Sequence, residues 1–505
     1  MKLPILCFHF LKDINFFPFF GLYLAFLLFD GTIKTSGRRK PSSEEKTRTK
    51  MAADGTRKPC VLVLPYPAQG HISPVAAFSK FLASKGLHIT VITTTQLSKS
   101  SKFSSSSSSS INIQTISDGS EDNQNQTETF EEYLARFKRC VSQSLAKFLD
   151  EQFKSGRIAK AIVYDSLMHW VSGIARGRGL LTVPFFTQSC SVCSVYYHLK
   201  RGLLKLPYED PVVPMPALPR SLEVEDLPSF PKIMDPNNTI MNLLADQFSN
   251  LKEVDLVFFN TFDKLENEII EWMSSTWPIK TIGPTISLLQ TSEEINDQKD
   301  HMISVFEPTC EACIEWLDSK ETNSVLYVSF GSAVSLQKEQ MEELAFGLAL
   351  SNCNFLWVVR SSEENKLPPA FVLNLSDKGF VVEWCSQPRV LAHPSVSCFM
   401  THCGWNSFLE ALSVGVPIIG MGQWADQKMN AKFIEDVWNV GTRVESGEFK
   451  REEIAKCVTE MVHGDKGKVL KRNACKWKEL VGEAVEKGGS SARNVEDFVT
   501  QIFCS

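Results

Sequence analysis

Two histidines in this chain stand where an apolar strand gives way to a helix, and these are the first places where chemistry could be done. His71 ends the run Pro65-Tyr66-Pro67-Ala68-Gln69-Gly70-His71, which follows the strand-like segment Cys60 to Leu64. Open α/β sheets bind their ligands at the carboxyl ends of their strands, and an imidazole titrating near neutrality can take a proton from a hydroxyl there. Gly70 permits a sharp turn and a close approach of substrate. A lone histidine in such a turn is more often structural than catalytic, so its partner matters. Asp165 closes the strand Ala159 to Tyr164, again at a carboxyl end. It could orient an imidazole that becomes charged or cap the following helix, and the two roles are compatible. His169, four residues on, reads as a pocket-lining or satisfied residue and not as a second base.

The second histidine lies within Trp384 to Gln427, WCSQPRVLAHPSVSCFMTHCGWNSFLEALSVGVPIIGMGQWADQ. Ser397 to Thr401 reads as a buried strand that stops at His402-Cys403-Gly404, with a helix starting near Trp405 or Asn406. A strand, a glycine turn and a helix start present free N–H groups and the positive end of the helix dipole, with Asn406 and Ser407 as polar side chains in the first turn. Such a site suits a phosphate.

Over its whole length this stretch resembles the signature box of the plant UDP-sugar-dependent glycosyltransferases, glycosyltransferase family 1. The resemblance implies that Trp384 stacks on uracil, with Cys385 (through its backbone) and Gln387 beside the base. It implies that Glu410 takes the ribose hydroxyls, that His402, Asn406 and Ser407 contact the pyrophosphate, and that Trp405 packs near the sugar. The closing pair Asp426-Gln427 would bond the sugar hydroxyls, and a final Gln in place of His points to UDP-glucose. Ser332, which ends LYVSFGS, resembles the family's phosphate-contacting Ser or Thr. PAQGH resembles the catalytic-histidine motif, which gives His71 the role of general base, and VYDSLMHW resembles the setting of the activating Asp, which gives that role to Asp165. The segments ISDGSED, NTFDKLE, WCSQ and DVWNVG are most like the subgroup that glucosylates small carboxylic acids, phenolics and some terpenoids. Two departures stand out: Met421-Gly422 where the family usually has Phe-Pro, and Phe408 where it usually has a small Thr.

The elements that must position these residues alternate along the chain. Strand-like segments at Cys60 to Leu64, His88 to Thr94, Ile111 to Ile116, Ala159 to Tyr164, Leu181 to Thr187 and Leu256 to Asn260 are separated by amphipathic segments such as Pro74 to Lys85. This βα alternation predicts a parallel sheet covered on both faces. A second alternating run begins with Ser324 to Ser329 and continues with Phe355 to Arg360 and Gly379 to Glu383 into the box. Two doubly wound halves are an α/β architecture, and the resemblance makes it GT-B, two Rossmann-like domains facing across a cleft. The expected boundaries are an extension over 1–57, an acceptor-binding domain over 58–285, a linker over 286–308, a UDP-sugar-binding domain over 309–485, and a C-terminal helix over 486–505 that packs back on the first domain. The Pro-rich stretch Pro207 to Pro231 is expected to line the acceptor side, and Ser104 to Ser110 reads as a surface loop.

Composition bounds the partners. A 505-residue chain that is 43% hydrophobic and 22% charged is a multidomain globular protein. Its net charge of −5 gives no footprint for nucleic acid. The 14 cysteines include the C-x-x-C pairs Cys190/Cys193 and Cys310/Cys313, which lie too far apart for a zinc ribbon and read as reduced thiols of a cytosolic protein. The apolar run Ile14 to Phe29 is short for a membrane span, and Met51 opens as family members do, so residues 1–50 read as a spurious or optional extension. A membrane-anchored or lumenal enzyme, with Asn125 and Asn374 as glycosylation sequons, is the competing reading. The implied reaction is inverting transfer from UDP-glucose to a small hydrophobic acceptor, without a metal or other cofactor, by a cytoplasmic monomer. The alternative is a catalytically weak protein that binds the nucleotide sugar and a metabolite.

Overall fold

Short strands of β-branched and aliphatic residues, each followed by a helix, build two parallel sheets. In this computed structural model the described residues are 58–100, 110–121, 128–156, 159–204, 217–218, 222–228, 239–290, 310–373, 375, 377–444 and 450–505. The expected extension, the serine tract before Ser110, both sequon asparagines, the greater part of the Pro-rich stretch and most of the expected linker lie outside them. Among the described residues no helix is long and apolar enough to cross a membrane.

The first sheet comprises β1 (Cys60–Leu64), β2 (His88–Thr94), β3 (Ile111–Ile116), β4 (Ala159–Asp165), β5 (Leu181–Phe186), β6 (Val257–Phe259) and β7 (Ile279–Thr281), in the order β3-β2-β1-β4-β5-β6-β7. The second comprises β8 (Val325–Ser329), β9 (Asn354–Val358), β10 (Gly379–Val382), β11 (Val396–Thr401), β12 (Ile418–Gly420) and β13 (Gly441–Arg443), in the order β10-β9-β8-β11-β12-β13. All pairings are parallel. Each sheet is buried on both faces. Along β1, Val61 and Val63 pack into the layer of Phe78, Phe185 and Phe258, while Leu62 and Leu64 pack into the opposite layer of Phe137 and Leu145.

Both sheets reverse their winding at their first strand, so each has a crevice at one point: between β1 and β4, and between β8 and β11. Register decides what meets there. Leu64 pairs with Tyr164, which sets the turn leading to His71 level with Asp165. Ser329 pairs with Thr401, which sets the turn carrying Ser332 level with His402-Cys403-Gly404.

The helix after β1 runs Gln69–Ser84, one turn earlier than the Pro74 start expected from the sequence. Proline suits a first helical turn, and that preference misplaces the boundary here. Pro74 sits inside the helix, where its missing N–H leaves the carbonyl of Gly70 without its i+4 donor. The last helix, Ser490–Cys504, packs on the first sheet. Its Phe498 is 1% exposed and meets Phe258 edge-on at 5.2 Å, and Ser491 and Asn494 donate to the carbonyls of Gly283 and Thr281. Phe498→Ala should therefore cost about 3–5 kcal/mol, read as a melting temperature lowered by several degrees. An unchanged melting temperature would mean that this helix is not part of the cooperative core.

Candidate active site

At the first crevice, the His71 imidazole keeps 21% of its surface exposed while its Nδ1 lies 2.7 Å from Asp165 Oδ2. Asp165 is fully buried, and its other oxygen accepts the N–H of Leu167, so the carboxylate caps the short turn Ser166–Met168 and holds the ring at once. Thr187, just beyond β5, brings Oγ1 to 3.1 Å from the same ring nitrogen. This network assigns the proton to Nδ1 and leaves the Nε2 lone pair free for an incoming hydroxyl. Burial would lower the His71 pKa, but the charge and hydrogen bond of Asp165 outweigh it and the net shift is upward, with Asp426 adding to it.

At the second crevice, His402 is held by a hydrogen bond to the carbonyl of Ser329. Burial, with the positive charge of Arg360 added, pushes its pKa down to about 4, so it is neutral near pH 7. Glycines make its space: a Cβ on Gly331, whose φ is +69°, would come within 2.7 Å of His402 Cε1, and one on Gly404 within 2.5 Å of Nε2. Cys403 between them takes a φ of 65°, a conformation costly for a side-chain-bearing residue. Gly404 opens the helix Trp405–Val414, with Asn406 and Ser407 in its first turn.

Gln387 links several expected donor-site residues. Its Nε2 donates to Ser407 Oγ at 2.9 Å and to Glu410 Oε2 at 2.8 Å, while its Oε1 accepts from the buried Tyr327 hydroxyl at 3.3 Å. Tyr327 also contacts Cys385 Sγ at 3.4 Å. Burial raises the Glu410 pKa to about 7, against the opposing pull of Gln387. Trp384, half-buried just before Cys385, opens this group. Asp426 is likewise raised by burial, to about 6, although Asn430 Nδ2 donates to it at 2.9 Å and His71 lies close enough to lower it. Gln427 spends its Oε1 on the N–H groups of Gln423 and Trp424, which turns its amide nitrogen into the remaining polar group. Ala425 before this pair has a φ of 56°.

The two crevices meet directly. Asn406 Nδ2 donates to the Gly70 carbonyl, the one that Pro74 leaves without its helical partner. Trp405 is 3% exposed and donates its indole N–H to the Asn260 carbonyl across the interface at 2.8 Å. Phe408 is buried beside it and stacks on Trp438 at 4.5 Å, so its bulk faces the interface core and not the phosphate turn. Among the described residues no group of three or more His, Cys, Asp or Glu side chains is arranged to hold a metal ion.

Mogroside I-E synthase of Siraitia grosvenorii is 46% identical to this chain over 446 residues, which cover 88% of this chain and 98% of that protein. The chain belongs to the UDP-glycosyltransferase family. UDP-glycosyltransferase 74E2 of Arabidopsis thaliana is 43% identical over 88% of this chain and 99% of its own. The family model described as UDP-glucoronosyl and UDP-glucosyl transferase matches residues 234–480. Among solved structures, Os79 of O. sativa in complex with UDP superposes with a TM-score of 0.79 at 33% identity, covering 88% of this chain and all of that one. The two parallel sheets are thus those of a GT-B glycosyltransferase.

Three groups in this UDP-glycosyltransferase's cleft escaped the sequence reading: Thr187, Tyr327 and Arg360. Each sits in or just beyond a strand next to β4 or β11, or one strand further out, and that position was the available signal. A prediction follows from the His71 environment. With Asp165→Asn, only burial and more distant charges act on the ring, so an NMR titration should find its pKa shifted to lower pH than in the parent. A shift upward, or none, would mean that Asp165 does not set the charge state of His71.

Proposed function

We propose that this enzyme transfers glucose from UDP-glucose, with inversion, to a hydroxyl or carboxyl group of a small hydrophobic plant metabolite. The observation that carries the reading is the 2.7 Å His71–Asp165 pair, set close enough to Asp426 for the imidazole and that carboxylate to influence each other's charge. A base on one sheet thus faces the expected sugar-binding pair on the other.

In this reading Nε2 of His71 removes the proton of an acceptor hydroxyl as its oxygen attacks the anomeric carbon from the face opposite the departing UDP. Asp165 stabilises the imidazolium that forms. The developing diphosphate charge meets the N-terminus of helix Trp405–Val414, with Asn406 and Ser407, together with His402 and Ser332. Trp384 stacks on uracil with Cys385 and Gln387 beside it, Glu410 takes the ribose hydroxyls, and Asp426 and Gln427 read the sugar. Relatives named for mogroside synthesis and a solved Os79 complex with trichothecene support an acceptor of small, largely apolar character.

The chemistry separates two acceptor classes. A carboxylic acid, with a pKa of about 4, arrives already ionised and needs no base, whereas an alcohol does. His71→Ala should cost alcohol and weakly acidic phenol acceptors about a hundredfold or more in kcat while costing carboxylates far less. Product mass and free UDP, measured over a panel of plant phenols, aromatic acids and terpenoid alcohols, test both points. Absence of any hexose adduct while UDP-glucose still binds would instead favour a metabolite-binding protein. Gln427→His replaces the free amide by a ring N–H, and kcat/KM for UDP-glucose should fall about tenfold; an undiminished value would remove Gln427 from sugar recognition.

A further inference from the structure

The turn after β8 carries Ser332, and something must hold its backbone in one conformation. Arg360, two residues past β9, sends one guanidinium nitrogen to the carbonyl of Ser332 and another to that of Val334. Lys366 Nζ takes the next alternate carbonyl, Leu336, at 2.9 Å, and also bonds Ser335 Oγ at 2.6 Å. Glu363, 9% exposed, ties the set together: it lies 3.8 Å from Arg360 and 2.8 Å from Lys366, and it accepts the Ser335 hydroxyl at 3.0 Å on both oxygens. The carbonyls at 332, 334 and 336 are therefore all committed to one cationic clamp. Among the described residues, none of the side-chain hydrogen bonds involves the N–H group of Ser332 or the Ser332 hydroxyl, which sit in the turn at 331–333.

With two cations and one carboxylate, the clamp leaves one positive charge in excess behind the turn. Arg360 is only 11% exposed and both of its ends are occupied, so it cannot itself reach a ligand in the cleft. We propose that Arg360 is a positioning residue for the donor's diphosphate: it draws the carbonyls of the 332–336 turn to itself, and so leaves the turn's N–H groups and the Ser332 hydroxyl for phosphate oxygens. A planar fork suits two neighbouring carbonyls, which a lysine ammonium cannot bridge in the same geometry. The inference rests on the UDP-sugar site proposed above and adds to it the device that shapes the phosphate turn.

The test compares UDP with uridine, which shares the base and ribose but has no phosphate, by calorimetric titration of the full chain. Arg360→Lys should weaken UDP about tenfold or more and raise KM for UDP-glucose more than it lowers kcat, while uridine affinity stays within about twofold of the parent. Arg360→Gln, which also removes the charge, should do more of the same. If the Arg360 variants do not fold, Lys366→Met releases the Leu336 carbonyl alone and should show a smaller loss for UDP and none for uridine. Equal losses for UDP and uridine, or unchanged UDP affinity in a folded variant, would overturn the proposal. A parent protein that binds neither molecule would refute the donor site itself, and this inference with it.

Discussion

A hydrogen bond missing inside one helix gives the two halves of this molecule a point of contact where it matters most. Pro74 cannot donate to Gly70, and the orphaned carbonyl accepts instead from Asn406, in the first turn of the helix on the other sheet. Gly70 precedes His71, and Asn406 belongs to the turn expected to meet the donor's phosphates. One bond thus ties the turn before His71 on one sheet to the helix start at Asn406 on the other. The carbonyl lies on the exposed side of the turn, and the vacancy created by the proline leaves it open to an amide from elsewhere in the chain. The rest of the interface keeps that bond in register. Trp405 and Trp438 donate to the carbonyls of Asn260 and Leu265, and Arg443 meets Asp226 at 2.6 Å. The aromatic group of Trp405, Phe408 and Trp438 belongs to a core continuous with Phe262 and Leu265, so the halves share apolar packing as well as polar contacts.

Burial then sets the electrostatic character of the cleft. It drives His402 toward the neutral form and raises Glu410 and Asp426 toward neutrality, so three groups of the proposed donor site hold less charge than they would in water. Only His71, with a fully buried carboxylate against its Nδ1, moves the other way. A cleft whose charges are weakly held responds to what enters it: hydroxyl donors favour the ionised carboxylate, and a diphosphate favours a protonated imidazole. The two histidines thereby fall into different charge states because their neighbours differ, although their residue type is the same.

Much of this was legible in the sequence because it rests on residue type and local spacing. The βα alternation gave the parallel sheets, and strand-end positions singled out His71, Asp165 and His402. The departures have long-range causes. The helix after β1 was read as starting at Pro74 because proline favours first turns, and its true start at Gln69 depends on a carbonyl satisfied from 336 residues away. Thr187 has no motif around it, and Tyr327 lies in the LYVSFGS segment that points to Ser332; both acquire meaning only when β5 is set beside β4, and β8 beside β11. The bond that fixes the Trp405 indole runs to Asn260, 145 residues away, and no local spacing announces it.

The same reasoning separates the two departures from the family pattern. Phe408 occupies the face of its helix that packs on Trp438, so its size is absorbed by the interdomain core and the phosphate turn does not feel it. Gly422 is different. A Cβ there would come within 2.8 Å of the Gln427 carbonyl and 3.0 Å of the Lys428 nitrogen, so the loop packs directly on the peptide that follows Gln427. A side chain at 422 would therefore have to displace backbone at the start of the helix Gln427–Lys432, carrying Gln427 with it. The donor half was readable because polar groups of fixed type converge on a fixed ligand. An acceptor pocket of apolar character is defined by shape, and shape depends on backbone placements of this kind that residue identities alone do not encode.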